Sequence, residues 1–576
     1  MNTLLLMLLA FVGYIVAYNT YGRFLARRVF RLDPNAVPPS QALRDGVDYV
    51  PSRRIIVFGH HFTSIAGTGP IVGPAIGVIW GWVPAFIWVF LGSIVMGGVH
   101  DLGALALSLR NQGRSIADIT GELIGPRVRL IFFLVVMLIL WVVLAIFGLV
   151  MALIFARYPA AVIPIWSEIP IAVALGWLVY KRNLGGRLLL FDIAAILLMY
   201  VTIVIGWRLP VVMPAVLGMP ATGVWTIILL LYAFVASVLP VTTLLQPRDY
   251  INAWELAVAL ALMVAGVLVT GLTGRLQIVA PAFRSAVPGA PSLWPVLFIT
   301  IACGAISGFH SLVSSGTSSK QLSREPDALF VGYGAMLVES VLALLVIIAC
   351  CAGIGMAYRT ADGSVLTGSA AWFRHYASWG AAEGLGANLD AFVTGAANLF
   401  SGYGIPVTMG IALMGVLVAS FAGTTLDTAA RLQRYVVAEL AGSAKLNFLA
   451  NRWVASIIAV GSAGALAFAT GATGAGALKL WPVFGALNQL LAGLALLVVT
   501  VWLRRRTKFY WLTLLPALFM MTMTSWALIQ KTGQLAAARN WLLVTVSSVC
   551  LLLEAWMIVE TFIVWLRPTS RAQESP

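Results

Sequence analysis

Two adjacent histidines, His60 and His61, stand just ahead of Gly67-Thr68-Gly69-Pro70 inside an otherwise apolar run. Lipid does not tolerate that pairing of titratable side chains with a backbone breaker unless something satisfies it. A Gly or Pro break frees N–H and C=O groups that neighbouring helices or a water-filled cavity must take up, so the segment points to a solute site at membrane depth. Neighbouring residues on a helix project about 100° apart, which leaves one histidine to face such a site. We expect His61 to face it and His60 to cap or pack; a satisfied core histidine is the alternative for each. The outer half-helix is expected to start at Ile71, its first N–H groups and positive dipole end aimed at the gap. Gly67, Thr68, Gly69 and Ile71, with His61 and His310, are thus the expected binders of a carboxylate-bearing solute.

The remaining titratable candidates are few. Asp101, next to His100 and two turns before Arg110, is the expected proton-coupling carboxylate; a salt bridge or helix cap near the inner mouth is its alternative role. His310 lies where the run Ala305 to Thr317 turns from apolar to hydroxyl-rich, and it can sense pH or hold a carboxylate when protonated. Ser311, Ser314, Ser315 and Thr317 offer hard oxygen ligands for Na⁺, while a protonatable group would serve H⁺; hydroxyls that merely join helices are the alternative. Glu339, midway along an apolar stretch, either joins a relay or locks two helices. His60, His61, His310 and Asp101 form an alternative metal set, without HxxxH or HExxH spacing. A Ser-His-Asp hydrolase is disfavoured because no GxSxG motif is present.

Positioning these residues requires a membrane. With 61% hydrophobic and 10% charged residues and a mean hydropathy of +0.96, the chain is expected to be an all-α polytopic membrane protein. Stretches of about 17–25 apolar residues place spans near 3–22, 55–83, 84–108, 128–156, 166–180, 188–207, 222–245, 251–273, 292–316, 327–357, 403–424, 451–472, 479–503, 509–530 and 540–566, about fifteen in all. A net charge of +15 would suggest nucleic acid in a soluble chain, but here it reports sidedness. With the N-terminus outside and the C-terminus inside, 27 of the 36 Lys and Arg fall on the inner side, Arg567 and Arg571 among them. Met1 to Tyr18 lacks a basic leader, so the first span is expected to be retained. The four cysteines lie within spans without zinc spacing, and packing is their expected role.

The order of spans carries a longer symmetry. Five from 55 to 207 begin inside and five from 222 to 424 begin outside, an inverted repeat in which each half opens on a broken helix, at 67–70 and at 237–241. Residues 1–54 add one helix and a cytoplasmic loop. Residues 425–576 scaffold the core or make an oligomer contact, with the amphipathic stretch Thr428 to Leu440 expected on the inner surface.

The segments FGHHFTSIAGTGPIVGPAIG (58–77), VHDLGAL (99–105), RNQGRSIADI (110–119), ACGAISGFHSLVSSGT (302–317), VGYGAMLVES (331–340) and LWPVFGALNQLLAG (480–493) resemble the carbon starvation protein A (CstA) family of peptide and pyruvate transporters. The resemblance implies kinship with the amino acid, polyamine and organocation superfamily and its LeuT-like five-plus-five fold. There the first helix of each repeat unwinds at the substrate, and an ion sits between the first and eighth core helices, here 55–83 and 292–316. It further implies a secondary transporter of the bacterial inner membrane, not an enzyme. An H⁺-coupled symporter importing di- and tripeptides during carbon starvation is expected; pyruvate symport with H⁺ or Na⁺ is the alternative. A metal-binding membrane protein or a channel is the alternative of another class. No cofactor beyond the coupling ion, no nucleic acid partner and a possible homo-oligomer complete the expectation.

Overall fold

The computed structural model describes residues 3–178, 188–360 and 363–566; the basic residues at 181–187 and Arg567 with Arg571 lie outside them. Among the described residues the chain is all-α apart from one two-stranded antiparallel pair, Tyr358–Arg359 with Val365–Leu366. Twelve helices among the described residues are long and apolar enough to cross a bilayer, and the bent pair Arg54–Ile65 and Gly69–Trp80 makes a thirteenth. Two more of the expected spans are present but shorter: the interrupted Leu293–Thr300 and Gly308–Gly316, and Arg452–Phe468.

The first break falls where Gly and Pro place it. Arg54–Ile65 ends, residues 66–68 leave the helix, and Gly69–Gly77 resumes at an angle of 45°. Ile71 and Val72 both donate their N–H groups to Thr68 O, at 3.2 and 2.9 Å. The outer half-helix therefore starts at Gly69, and the Ile71 N–H expected to face the gap is spent inside the first turn.

The second break is not at 237–241. Ala221–Val238 simply ends there, and the 28-residue helix Leu245–Leu272 follows after a link. The interruption lies instead at 301–307, between Leu293–Thr300 and Gly308–Gly316. Gly304 has φ +88°, and a Cβ on it would meet the Ala343 Cβ at 2.6 Å, so glycine alone fits. A Cβ on Gly69 would meet Cys303 Cβ at 2.6 Å, and one on Gly304 would meet Pro70 Cβ at 3.7 Å. The two unwound segments thus cross in direct contact.

Helix packing is reciprocal about that crossing, and the core is a five-plus-five bundle. Gly69–Gly77 lies on Ala335–Cys351 as Gly308–Gly316 lies on Gly98–Leu109, and the long helices Pro126–Arg157 and Val407–Ser443 pack together. Ala221–Val238 packs on the first of these as Arg452–Phe468 packs on the second. Leu245–Leu272 backs Arg54–Ile65, and Trp481–Arg504 backs Gly308–Gly316.

The two sides read from charge are consistent with the contacts. Links assigned inside meet one another: Val241 N–H bonds Val47 O at 3.0 Å, Tyr49 OH bonds Gln112 O at 3.2 Å, and Arg505 bonds Leu123 O at 3.0 Å. Those assigned outside meet likewise, with Arg157 on Asp390 and Arg284 on Tyr376 O at 2.7 Å. The stretch Thr428 to Leu440 is no surface helix: it continues Val407–Ser443, and Thr428 to Arg434 are buried because they face neighbouring helices rather than lipid headgroups.

Candidate functional site

Four side chains from three helices form a buried chain beside the second break. His100 Nδ1 lies 2.7 Å from Asp101 Oδ1, and Asp101 Oδ2 lies 3.0 Å from His310 Nδ1. On the other edge of the ring, His310 Nε2 stands 3.4 Å from Glu339 Oε2, while Glu339 Oε1 accepts the Gly304 N–H at 3.1 Å. All four are at most 1% exposed. An imidazole held between two carboxylates in a low-dielectric interior makes the charge of the cluster a count of protons, since bare like charges there cost several kcal/mol each. Through Glu339 that count touches a backbone amide that exists as a free donor only because the helix is broken.

The other freed groups of this break are also taken up by side chains. Trp88 Nε1–H donates to Ile301 O at 2.9 Å, Gln489 Nε2–H donates to Phe298 O at 2.9 Å, and Asn488 Oδ1 accepts the Phe309 N–H at 2.9 Å. Asn488 and Gln489 had no assigned role in the sequence reading, although they sit in the LWPVFGALNQLLAG segment.

The two adjacent histidines diverge. His61 Nδ1 pairs with Ser318 Oγ at 2.8 Å, and His60 Nδ1 pairs with Asp249 Oδ2 at 2.5 Å. The four residues of the alternative metal set do not converge, because these two rings turn toward separate partners. Among the described residues, the group whose donor atoms converge is Cys303, His310 and Glu339, within 4.8 Å of one another. Of the hydroxyls, Ser311, Ser315 and Thr317 donate back to Gly308 O, Ser311 O and Val313 O of their own helix, and Ser315 Oγ also accepts the Ile116 N–H at 3.2 Å. Ser314 Oγ is buried without a partner. Thr68, at the first break, is 4% exposed. Closer to that break, Ser64 Oγ and Thr428 Oγ1 are 2.9 Å apart, and Thr425 Oγ1 is 3.4 Å from Ser64 O.

A second ionic cluster lies on the far side of Arg54–Ile65. Arg248 pairs with Glu168 at 3.2 Å and with Asp427, and Tyr232 OH lies 2.7 Å from both Arg248 Nη1 and Asp427 Oδ2. These residues escaped the sequence reading, since Arg248 was assigned to an inner link and Asp427 fell just beyond the span ending at 424. Intramembrane acidic residues such as Glu168 and Glu255 were the available signal.

The inner ends are clasped by the link before Arg54. Asp48 bonds Arg431 at 2.7 Å and Arg434 at 3.1 Å, while Val50 and Ser52 donate their N–H groups to Lys320 O and Gln321 O at 3.1 and 2.9 Å. Burial raises the Asp48 carboxyl, but the two guanidiniums prevail and hold it down at about 2. A cavity of 1080 Å³ opens on this same face, lined by Arg27, Arg31, Arg110, Glu325 and Arg506, away from the broken helices.

The profile of the family "Carbon starvation protein CstA" matches residues 2–527, and the chain belongs to that family. It is 33% identical to "Pyruvate/proton symporter BtsT" of Escherichia coli K12, over 89% of this chain and 80% of that one. It is 32% identical to "Peptide transporter CstA" of Campylobacter jejuni, over 90% and 78% of the two chains. "Peptide transporter CstA" of Escherichia coli K12 shares 31% over 92% and 81%. Among solved structures, a mutant of the Eremococcus coleocola manganese transporter aligns over 91% of this chain and 99% of its own with a TM-score of 0.48 and 12% identity. The chain is a multi-pass inner-membrane transporter rather than an enzyme.

Proposed function

We propose that this member of the carbon starvation family imports small peptides together with a proton, by alternating access about the crossing of its two broken helices. The two inverted halves run from 54 to 272 and from 293 to 504, and the broken helix at the head of each moves against the helices packed around it. Helices Val162–Gly176 and Leu188–Arg208 are inserted in the first half, and residues 358–401 in the second. This reading places the eighth core helix at Val407–Ser443 rather than at 292–316, because the former is the partner of Pro126–Arg157.

The observation that carries the proposal is the continuous run Gly304 N–H, Glu339, His310, Asp101. A proton added to or taken from that run changes what Glu339 offers the unwound backbone, so protonation and the geometry of the break are linked. His61, Gly67, Thr68 and Gly69 line the approach from the first break, with Thr68 N–H and Gly69 N–H as the donors for a carboxylate in place of Ile71. Ser64, Thr425 and Thr428, which gather oxygens beside that break, support Na⁺ as the second reading for the ion. Pyruvate is the second reading for the cargo, since relatives of nearly equal identity are named for pyruvate and for peptides.

Uptake into proteoliposomes under H⁺ or Na⁺ gradients, with and without membrane potential, separates these. A zwitterionic peptide with one H⁺ moves one net charge, for which 100 mV supplies about 2.3 kcal/mol, roughly fifty-fold accumulation. Pyruvate with one H⁺ moves none, so its uptake is insensitive to voltage. Accumulation of neither solute under either gradient would overturn the proposal.

A further inference from the structure

The crossing of the breaks holds an unusual donor set. Cys303 Sγ, His310 Nε2 and Glu339 Oε2 come from the unwound segment, the inner half-helix and the helix packed behind them. The three donor groups lie within 4.8 Å of one another. His310 Nε2 and Glu339 Oε2 are fully buried and neither makes a hydrogen bond, although they face each other at 3.4 Å. Cys303 is a free thiol that keeps part of its surface uncovered, and its side chain abuts Gly69 of the first break.

The His310 ring is arranged as a metal ligand is. Its Nδ1 faces the Asp101 carboxylate at 3.0 Å, and when Nδ1 carries the proton Nε2 is left as a bare lone pair aimed at Glu339 and Cys303. Histidines that bind metals usually donate their other N–H to such a carboxylate. Zinc bonds of about 2.0–2.3 Å to N, O and S require donors roughly 3.3–3.8 Å apart. The imidazole–carboxylate spacing already meets that, and the thiol needs a small side-chain shift.

We propose that Cys303, His310 and Glu339 form a site for a thiophilic divalent cation of the zinc class, which ties the second broken helix to Ala335–Cys351 and arrests transport. The ion binds three protein ligands and leaves its fourth position toward the gap between the breaks. On binding, the Cys303 thiol gives up its proton to solvent and the thiolate becomes a ligand. Arrest follows because Cys303 and His310 ride on the second broken helix while Glu339 rides on its neighbour, and relative movement of the two would pull the ligands apart. The arrest rests on the transport reading above, whereas the binding does not.

Cd²⁺ titration of purified protein in nanodiscs, followed by the ultraviolet thiolate-to-cadmium absorption band, tests the binding. The expected result is a saturable band at one ion per chain. It should be absent in Cys303→Ser and retained in Cys550→Ser, which removes a distant thiol. Asp101→Asn should weaken binding by roughly 10–100-fold, the cost of losing the carboxylate behind a ligating histidine. Matching elution volume and helical circular dichroism establish that the variants are folded. A band that survives in Cys303→Ser, or no saturable band in the parent, overturns the site. In proteoliposomes, Zn²⁺ should block uptake by the parent and not by any Cys303→Ser protein that retains uptake. A saturable band in a protein that transports neither peptide nor pyruvate would leave the site standing and remove the transport reading alone.

Discussion

The molecule buries two ionic clusters of similar size, one on each side of Arg54–Ile65, and they differ in what supplies the positive charge. Around the second break the basic group facing the carboxylates is an imidazole, that of His310, set between Asp101 and Glu339, with His100 on the other oxygen of Asp101. Around Arg248 it is a guanidinium held by Glu168, Asp427 and Tyr232. A guanidinium keeps its proton at any physiological pH, whereas an imidazole changes charge within that range. The first cluster holds the groups proposed above to carry the coupling proton, and the second joins helices through a fixed charge. The second cluster ties Val162–Gly176, Ala221–Val238, Leu245–Leu272 and Val407–Ser443 into one body, against which the broken helices move in the cycle proposed above.

The sharpest way to break this contrast is Arg248→Met. It leaves Glu168 and Asp427 buried without their cation, a loss of about 3–5 kcal/mol. Thermal unfolding in nanodiscs should show that loss, with most of it recovered when Glu168→Gln and Asp427→Asn are added. A stable single variant would mean that the cluster is not structural. Gly304→Ala addresses the titratable side next. With φ at +88° and Ala343 Cβ 2.6 Å from the added carbon, it should cost about 2–3 kcal/mol. It should also lower uptake more than an alanine at Gly533, where a Cβ meets nothing within 4 Å.

Asp48→Asn is smaller and sharpens the comparison through pH. The Asp48 carboxyl sits near 2 rather than 3.8, so its ion pairs with Arg431 and Arg434 contribute about 2 kcal/mol. A depressed folded-state value means that this contribution is complete above the ordinary carboxylate range and fades only as pH falls toward about 2. The stability difference between parent and variant should accordingly be the same at roughly pH 5 and pH 8. A difference that changed between those two values would place Asp48 among the titrating groups. Smallest is Ser318→Ala, which removes the partner of His61 Nδ1. About 1 kcal/mol of stability should go with it, and uptake should fall as well because His61 lines the approach to the break; unchanged uptake would return His61 to a packing role.

Where sequence and structure part is instructive. The first break was legible because Gly67, Gly69 and Pro70 mark it together, and local backbone chemistry is a sequence-local property. The second was misplaced because Pro240 merely follows a helix end, whereas the true break at 301–307 contains no proline and reads as apolar. That break is held open by distant groups, Glu339, Asn488, Gln489 and Trp88. Asp101, His310 and Glu339 could be named individually as intramembrane ionisable residues. Their assembly was not legible, since Asp101 and His310 stand 209 residues apart in the chain. The Arg248 cluster was missed for a related reason: Leu245–Leu272 starts six residues earlier than hydropathy placed it, at 245 rather than 251, which brings Arg248 and Asp249 into the bundle.

The central claim is that protons on the cluster beside the second break drive the cargo. Proteoliposomes holding Asp101→Asn, compared with the parent under an inward H⁺ gradient, test it most directly. The account predicts that the variant loses concentrative uptake of peptide or pyruvate while still exchanging labelled for unlabelled cargo in counterflow. Normal concentrative uptake by Asp101→Asn would contradict it.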